Sequence, residues 1–265
     1  MEYVAPSTLE EAYRALDADD ARCLAGGQSL VAMMNLGIVS PSRLVSLRRI
    51  SALRGITAQR DGSLRIGAMT SHAELAALDA PVAGAALLAQ AARVVAYPAV
   101  RAFGTLGGSV AHADPAADYP VALVAADAVI EVGSAAGNRR IPATDFFRAL
   151  FETALGRSEI VTAIIVPAGP AASRAAYEKL SLVAGDFAIL SVAAIVERTA
   201  RVAIGCCGPR PILATGLALN DMALRESARK IADASDPPSD HRASAAYRRK
   251  ILPELVCRAV RAAQQ

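Results

Sequence analysis

Two short glycine segments constrain this chain more than any other feature. One runs Leu24-Ala25-Gly26-Gly27-Gln28-Ser29-Leu30, and the other spans Phe103 to Pro120 as FGTLGGSVAHADPAADYP. Paired glycines remove the side chains that hold a backbone away from a ligand, and the neighbouring amides and hydroxyls are donors suited to a phosphate. In the first segment the amides of Gln28 and Ser29 and the Ser29 hydroxyl suit a pyrophosphate. In the second, Thr105 and Ser109 flank Leu106-Gly107-Gly108, and the carboxylates of Asp114 and Asp118 follow at a spacing that a cofactor's sugar and ring edges can use. The simplest ligand for such a pair of loops is a dinucleotide. The same glycines also suit ordinary turns, with Asp114 capping a helix that opens on Pro115.

Neither segment is followed by Lys-Ser/Thr, as in a nucleoside-triphosphate loop, and neither is GxGxxG, so the usual dinucleotide fold is not indicated. With 265 residues, 54% of them hydrophobic, the chain can bury one large core or two ordinary ones. The net charge of +3 comes from 28 basic and 25 acidic residues mixed along the chain, which argues against a nucleic-acid partner. Glu2, Glu10, Glu11, Asp17, Asp19 and Asp20 do not fit a secretory signal, and Val82 to Val100 is interrupted by Gln90, Arg93 and Pro98, so no membrane span is expected and the reading is cytoplasmic. Cys23, Cys206, Cys207 and Cys257, with His72, His112 and His241, show no metal-ligand spacing; buried thiols and unremarkable histidines are expected, and no metal.

Ser7 with Glu10, and Ser71 with Glu74, read as capping boxes, the first opening a helix with Leu9, Ala12, Tyr13 and Leu16 on one face. Strands are expected at Cys23 to Ala25, at Leu44 to Leu47 and Leu64 to Ala68 on either side of an Asp61-Gly62 turn, and at Ile160 to Val166. A hairpin about Gly137-Asn138 joins Val129 to Val132 with Arg139 to Ile141, and helices cover Ala83 to Ala96 and Tyr119 to Ala126. Pro167-Ala168-Gly169-Pro170 marks a boundary. Beyond it lie strands near Ala175 to Leu182, Ile189 to Val196 and Arg201 to Gly205, then helices from Asp221 to Asp233 and from Asp240 onward, giving an antiparallel sheet with helices on one side.

Four ordered motifs carry the reading further: AGGQSL, TLGGSVAHADPAADYP, the run DFFRALFETALGRSEIV from Asp145 to Val161, and YEKLSLVAGDFAI from Tyr177 to Ile189. Together they resemble the FAD-binding medium subunits of the molybdenum hydroxylases, the family of xanthine dehydrogenase and of the aerobic carbon monoxide dehydrogenase flavoprotein. The similarity runs from MEYVAPSTLEEA to DHRASAAYRRKIL, nearly the whole chain. It departs at Val31-Ala32-Met33, Asn35-Leu36-Gly37 and Val183, where proline or basic residues are usual, and at Cys206-Cys207, for which there is no functional account.

The resemblance implies an α+β chain: a two-part FAD-binding domain of the PCMH type over 1–168, then a smaller α+β domain over 171–265 with an antiparallel sheet and helices. It implies that residues 24–30 and 105–109 wrap the FAD diphosphate. Asp118 would bond the ribityl or ribose side, with Asp114 in support. Ile160 and Val161 would lie against the isoalloxazine, and Lys179 would approach its pyrimidine edge, where a positive charge favours anionic reduced flavin. It further implies a heterotrimer, expected to pair with a second. A large subunit would carry molybdopterin and a small one two [2Fe-2S] clusters, with electrons leaving through FAD to an external acceptor. The alternatives are a self-contained flavin oxidase or reductase of the wider superfamily, which needs a base above the flavin that does not stand out here, and a binding protein that has lost the cofactor.

Overall fold

A computed structural model describes residues 1–265. Strands β1 (Glu2–Val4) and β2 (Ala21–Leu24) both pair in parallel with β3 (Arg43–Ser46), giving the order β1-β3-β2. Helix α1 (Leu9–Leu16) connects β1 to β2 and α2 (Leu30–Asn35) connects β2 to β3, as parallel strands require. The expected face of α1 is buried at Ala12, Tyr13 and Leu16, but its cap sits one residue later than Ser7 and Glu10 suggest. Thr8 Oγ1 accepts from Glu11 N at 3.2 Å, and the Glu11 carboxylate accepts from Ser7 N at 2.8 Å. Thr8 offers the same hydroxyl as Ser7, and starting there leaves Glu10 in solvent.

The central sheet is built from β4 (Ile56–Ala58), β5 (Leu64–Gly67), β6 (Val129–Ser134), β7 (Gly137–Pro142) and, after the small ribbon of β8 (Phe147–Ala149) and β9 (Glu152–Thr153), β10 (Ile160–Val166). Its order is β4-β5-β10-β6-β7, antiparallel throughout. The Asp61-Gly62 turn therefore joins β5 to β4, not to β3; β4 is too short and too exposed to announce itself in the sequence. The β6–β7 hairpin turns on Ala135-Ala136, with Gly137 already paired to Ser134, because Ser134 Oγ accepts from Ala136 N and closes the turn ahead of Gly137-Asn138.

Between β5 and β6 lie α3 (His72–Ala76), α4 (Ala83–Val94), α5 (Pro98–Phe103), α6 (Leu106–His112) and α7 (Asp118–Ala125), and α8 (Ala143–Phe146) follows β7. The Ser71–Glu74 box forms with both halves in place, and α4 stops short of Pro98, which opens α5. Glycine's poor helix propensity hides α6, which Thr105 caps. Asp114 caps no helix: its carboxylate accepts from Ala116 N at 2.8 Å and closes a turn, and α7 starts at Asp118.

The C-terminal sheet runs β11 (Arg174–Leu180), β12 (Leu190–Val196), β13 (Ala200–Gly205), β14 (Ile212–Leu217), all antiparallel. Edge strand β14 is half-exposed and interrupted by Gly216, and sequence periodicity does not reveal it. Helices α9 (Asp221–Ala234) and α10 (Ala245–Gln264) cover one face; Ser244, not Asp240, caps α10. The other face packs on α4 and α7, so β12 is buried on both sides. Val192 and Ala194 join a core with Leu252 and Val256 of α10, whereas Ala193 and Ala203 join the core of the first 166 residues. With β11 seated on α4 and α7 on β12 and β13, the Lys179 side chain of β11 reaches Asp118 at the start of α7.

Candidate flavin site

A cleft of about 1040 Å³ opens where the β2–α2 loop, α6, the start of α7, β10 and the β11–β12 loop converge. Ala25 to Leu30, Thr105, Gly107 to Ser109, Asp114, Asp118, Ile160, Val161 and Lys179 all line it. Leu24 and Leu106 do not. Leu24 lies beneath Gly27, with its Cδ1 3.6 Å from where a Cβ on that glycine would stand, and Leu106 is fully buried in the core.

The β2–α2 loop is where the free donors are. The backbone N–H groups of Gly26, Gly27, Gln28 and Ser29 donate to no acceptor within the chain. Gln28 turns back on itself, its Nε2 donating to Gly26 O at 3.2 Å. Consecutive unpaired N–H groups on a concave wall form a cradle for an anion. The loop seats against α5 backbone to backbone, since a Cβ on Gly26 would stand 2.2 Å from Phe103 O.

The second glycine segment works differently from expectation. The N–H groups of Leu106 and Gly107 donate to Thr70 O and Ala68 O, at 2.9 and 2.8 Å. Gly108 N donates to Thr105 Oγ1, and Ser109 N to Thr105 O. The Leu106 and Gly107 amides hold α6 to the residues just after β5, the Gly108 and Ser109 amides close its cap on Thr105, and Gly107 packs tightly there, because a Cβ would stand 2.5 Å from that of Ala68. What this segment gives the cleft is a smooth wall and the Ser109 hydroxyl.

At another part of the wall, Asp118 from α7 meets two side chains two residues apart on β11. The Tyr177 hydroxyl donates to Asp118 Oδ1 at 2.8 Å, and the Lys179 ammonium lies 3.1 Å from the same carboxylate. Lys179 Nζ also donates to Val94 O at 3.2 Å, and both charged side chains are less than a tenth exposed. Burial raises the Asp118 carboxyl above its ordinary value, opposed by Lys179 and Tyr177. The sequence marks Asp118 and Lys179 separately; their pairing, and Tyr177, depend on the packing of the C-terminal sheet on α4 and α7.

Three further features escaped the sequence. His72, expected to be unremarkable, is 5% exposed, lines the cleft, and has its pKa lowered to about 4 by burial and by Arg101. His112 and Phe151 meet on the cleft wall with their rings tilted at 45° and 5.2 Å between centroids. Gly185, Asp186 and Phe187 of the β11–β12 loop form part of the rim, with Arg242 stacked 5.3 Å from the Phe187 ring. The cysteines are free thiols; Cys206 and Cys207 are buried, with pKa values pushed up to about 12 by burial. No group of His, Cys, Asp and Glu side chains is arranged to hold a metal, and no helix is long and apolar enough to cross a membrane.

Comparison with known proteins gives the site a context. Residues 1–169 match the model of the FAD binding domain in molybdopterin dehydrogenase, and residues 175–263 that of the CO dehydrogenase flavoprotein C-terminal domain. The chain is 35% identical to the glyceraldehyde dehydrogenase medium chain of Sulfolobus acidocaldarius, over 97% of its own length and 96% of that protein's. It superposes with a TM-score of 0.94, at 34% identity, on a chain in a solved carbon monoxide dehydrogenase from Hydrogenophaga pseudoflava, covering 100% of this chain and 97% of that one. A chain of quinoline 2-oxidoreductase from Pseudomonas putida 86 matches with a TM-score of 0.92 at 32% identity, over 99% and 96% of the two lengths.

Proposed function

We propose that this chain, which belongs to the family of FAD-binding medium subunits of molybdopterin-dependent dehydrogenases, is the electron exit of a heterotrimeric molybdenum hydroxylase. The observation that carries the site assignment is the run of four unpaired N–H groups at Gly26 to Ser29 inside a cleft large enough for a dinucleotide. A diphosphate needs such donors, and no charged side chain is required beside them.

In this reading Gly26 to Ser29 hold the FAD diphosphate, with Ser109 contributing its hydroxyl across the cleft. Ile160 and Val161, buried in β10 yet lining the cleft, give the ring system an apolar floor, and Lys179 faces its polar edge. Asp118 acts on the cofactor chiefly through Lys179. When bound, FAD supplies the redox chemistry, taking electrons that originate at molybdopterin and iron–sulfur centres on partner subunits and passing them to an external acceptor. The chain's own work is to bind, orient and set the electrostatics; no residue here is asked to touch the organic substrate. The proposal takes the chain as two units, 1–168 and 171–265, closing on the cofactor. It also includes a large and a small partner subunit, pairing of two heterotrimers and a cytoplasmic location.

The test is a visible spectrum and an iron and molybdenum analysis of the complex purified with its partners, for wild type and Ser29→Glu. Ser29 is exposed at the cleft, so the variant places a carboxylate among the proposed phosphate donors without disturbing the core. The expected result is flavin, iron and molybdenum in the wild type, and loss of flavin and acceptor turnover alone in the variant. A chain that purifies by itself, carries flavin and oxidises a substrate without either metal would overturn the subunit assignment.

A further inference from the structure

The arrangement around Asp118 says more than that two charges pair. A carboxylate at the start of a helix whose eight residues are all buried is costly to keep ionised, and here each neighbour compensates it. The backbone at Tyr177 is itself pinned along one edge of β11: its N–H donates to Gln90 Oε1 at 2.9 Å, and Gln90 Nε2 donates to Ala175 O at 3.1 Å. The backbone that carries the phenol is thus held by α4, while the phenol donates to a carboxylate from α7. Lys179 has three N–H donors; Asp118 and Val94 O take two, and the third remains for whatever occupies the cleft that Lys179 lines.

We propose that Tyr177 is a positioning residue for the flavin: its hydroxyl fixes the Asp118 carboxylate so that Asp118 and Lys179 meet the cofactor as an oriented dipole rather than as an uncompensated ammonium. This rests on the reading of the cleft as the flavin site. Tyr177 does not line the cleft, so its influence passes entirely through Asp118.

The groups that face Asp118 decide how it titrates. They are Tyr177 and Lys179 from β11, Tyr119 from its own helix, and the Cys206 thiol at the end of β13, which Asp114 in the preceding turn also faces. Behind Tyr119 stand His72 and Arg101. Both phenols are raised well above their ordinary value, chiefly by burial, and the Cys206 thiol to about 12, so these three are neutral donors at working pH. Lys179 is the cation in contact with the carboxylate. Removing the Tyr177 hydroxyl takes away one of the two bonds that hold Asp118 ionised against burial. Asp118 then takes up a proton at higher pH, the Lys179 charge goes uncompensated, and anionic reduced flavin is favoured.

The experiment is the two-electron midpoint potential of the flavin in the purified complex, followed against pH by spectroelectrochemistry, for wild type, Tyr177→Phe and Asp118→Asn. Asp118→Asn is expected to raise the potential wherever Asp118 is ionised in wild type. Tyr177→Phe is expected to follow Asp118→Asn at low pH and to rejoin wild type at high pH, with its inflection at higher pH than that of wild type and none in Asp118→Asn. A Tyr177→Phe curve parallel to wild type, or an Asp118→Asn potential unchanged from it, overturns the proposal. So does a Tyr177→Phe chain too unstable to hold flavin, which makes the residue structural. A wild-type complex without flavin instead overturns the site reading itself.

Discussion

The Nδ1 atom of His72, at the start of α3, lies 2.9 Å from the hydroxyl of Tyr119 in α7, and both rings are buried at the wall of the cleft that His72 lines. The contact holds a neutral imidazole in place, with Arg101 nearby as a further reason for it to stay uncharged. Its pKa falls from 6.5 to about 4 on folding, chiefly through burial.

That shift ties stability to pH. Between pH 6.5 and about 4 the unfolded chain takes the proton while the folded chain does not, so folding is penalised progressively as the pH falls through this window. The penalty is complete below the folded value, at about 3 kcal/mol. Denaturant titrations of wild type and His72→Gln should show the variant losing less stability between pH 6.5 and 4, whatever its stability at neutral pH. Parallel pH profiles would show that His72 is protonated in the fold.

Two glycines on either side of α2 separate packing from backbone conformation. At Gly26 an added Cβ would stand 2.2 Å from Phe103 O and 2.7 Å from Gly104 Cα, so Gly26→Ala must push the donor loop off α5. At Gly37, with φ +69°, nothing lies within 4 Å, and the cost of an alanine is backbone strain alone. Thermal denaturation should place Gly37→Ala about 1 kcal/mol below wild type. Gly26→Ala should lose about 1–3 kcal/mol, and should lose flavin from the complex, which Gly37→Ala should retain. Equal flavin content in the two variants would count against the Gly26 loop as the phosphate cradle.

Capping at α1 gives a smaller contrast. Thr8→Ala removes the acceptor for Glu11 N and should cost about 1 kcal/mol. Glu10→Gln, at a carboxylate left in solvent, should leave the denaturation midpoint unchanged. The reverse ranking would restore Ser7 and Glu10 as the cap.

How far the sequence could be read follows from the range of each interaction. The Ser71–Glu74 box, the end of α4 before Pro98 and β10 are local in origin, and they form where the residues place them. At α1, Ser7 and Thr8 compete for one cap with equivalent hydroxyls, and only the packing of Ala12, Tyr13 and Leu16 decides between them. Strand β4 exists because β5 offers it an edge, and α6 because Thr70 and Ala68 accept from its first turn. The two glycine loops were legible as a pair because glycine has few other uses in such density. Their division of labour was not, since whether an amide is free depends on acceptors more than thirty residues away in sequence. Tyr177 stands in the sequence as one more strand residue, and only the packing of the C-terminal sheet on α4 and α7 gives it Asp118 as a partner.

The C-terminal segment supports the cleft from a distance, through Arg248. This side chain is 1% exposed, donates to Ile189 O, and pairs with Asp240 at 2.7 Å. Ile189 closes the β11–β12 loop whose Gly185, Asp186 and Phe187 form part of the cleft rim, and Arg242, two residues after Asp240, stacks on Phe187. Removing Asp240 leaves a buried guanidinium without its counter-charge, which costs about 3–5 kcal/mol in such pairs. Arg242→Ala removes the rim contact and a longer, 3.8 Å ion pair from Arg242 to Asp240, but leaves the 2.7 Å Arg248–Asp240 pair in place. Asp240→Ala should therefore lower global stability strongly. Arg242→Ala should leave stability close to wild type but speed amide exchange at residues 185–189, where the loop loses its outer support. Exchange there as slow as in wild type would mean that backbone contacts such as Ile189 N to Leu180 O hold the loop without Arg242.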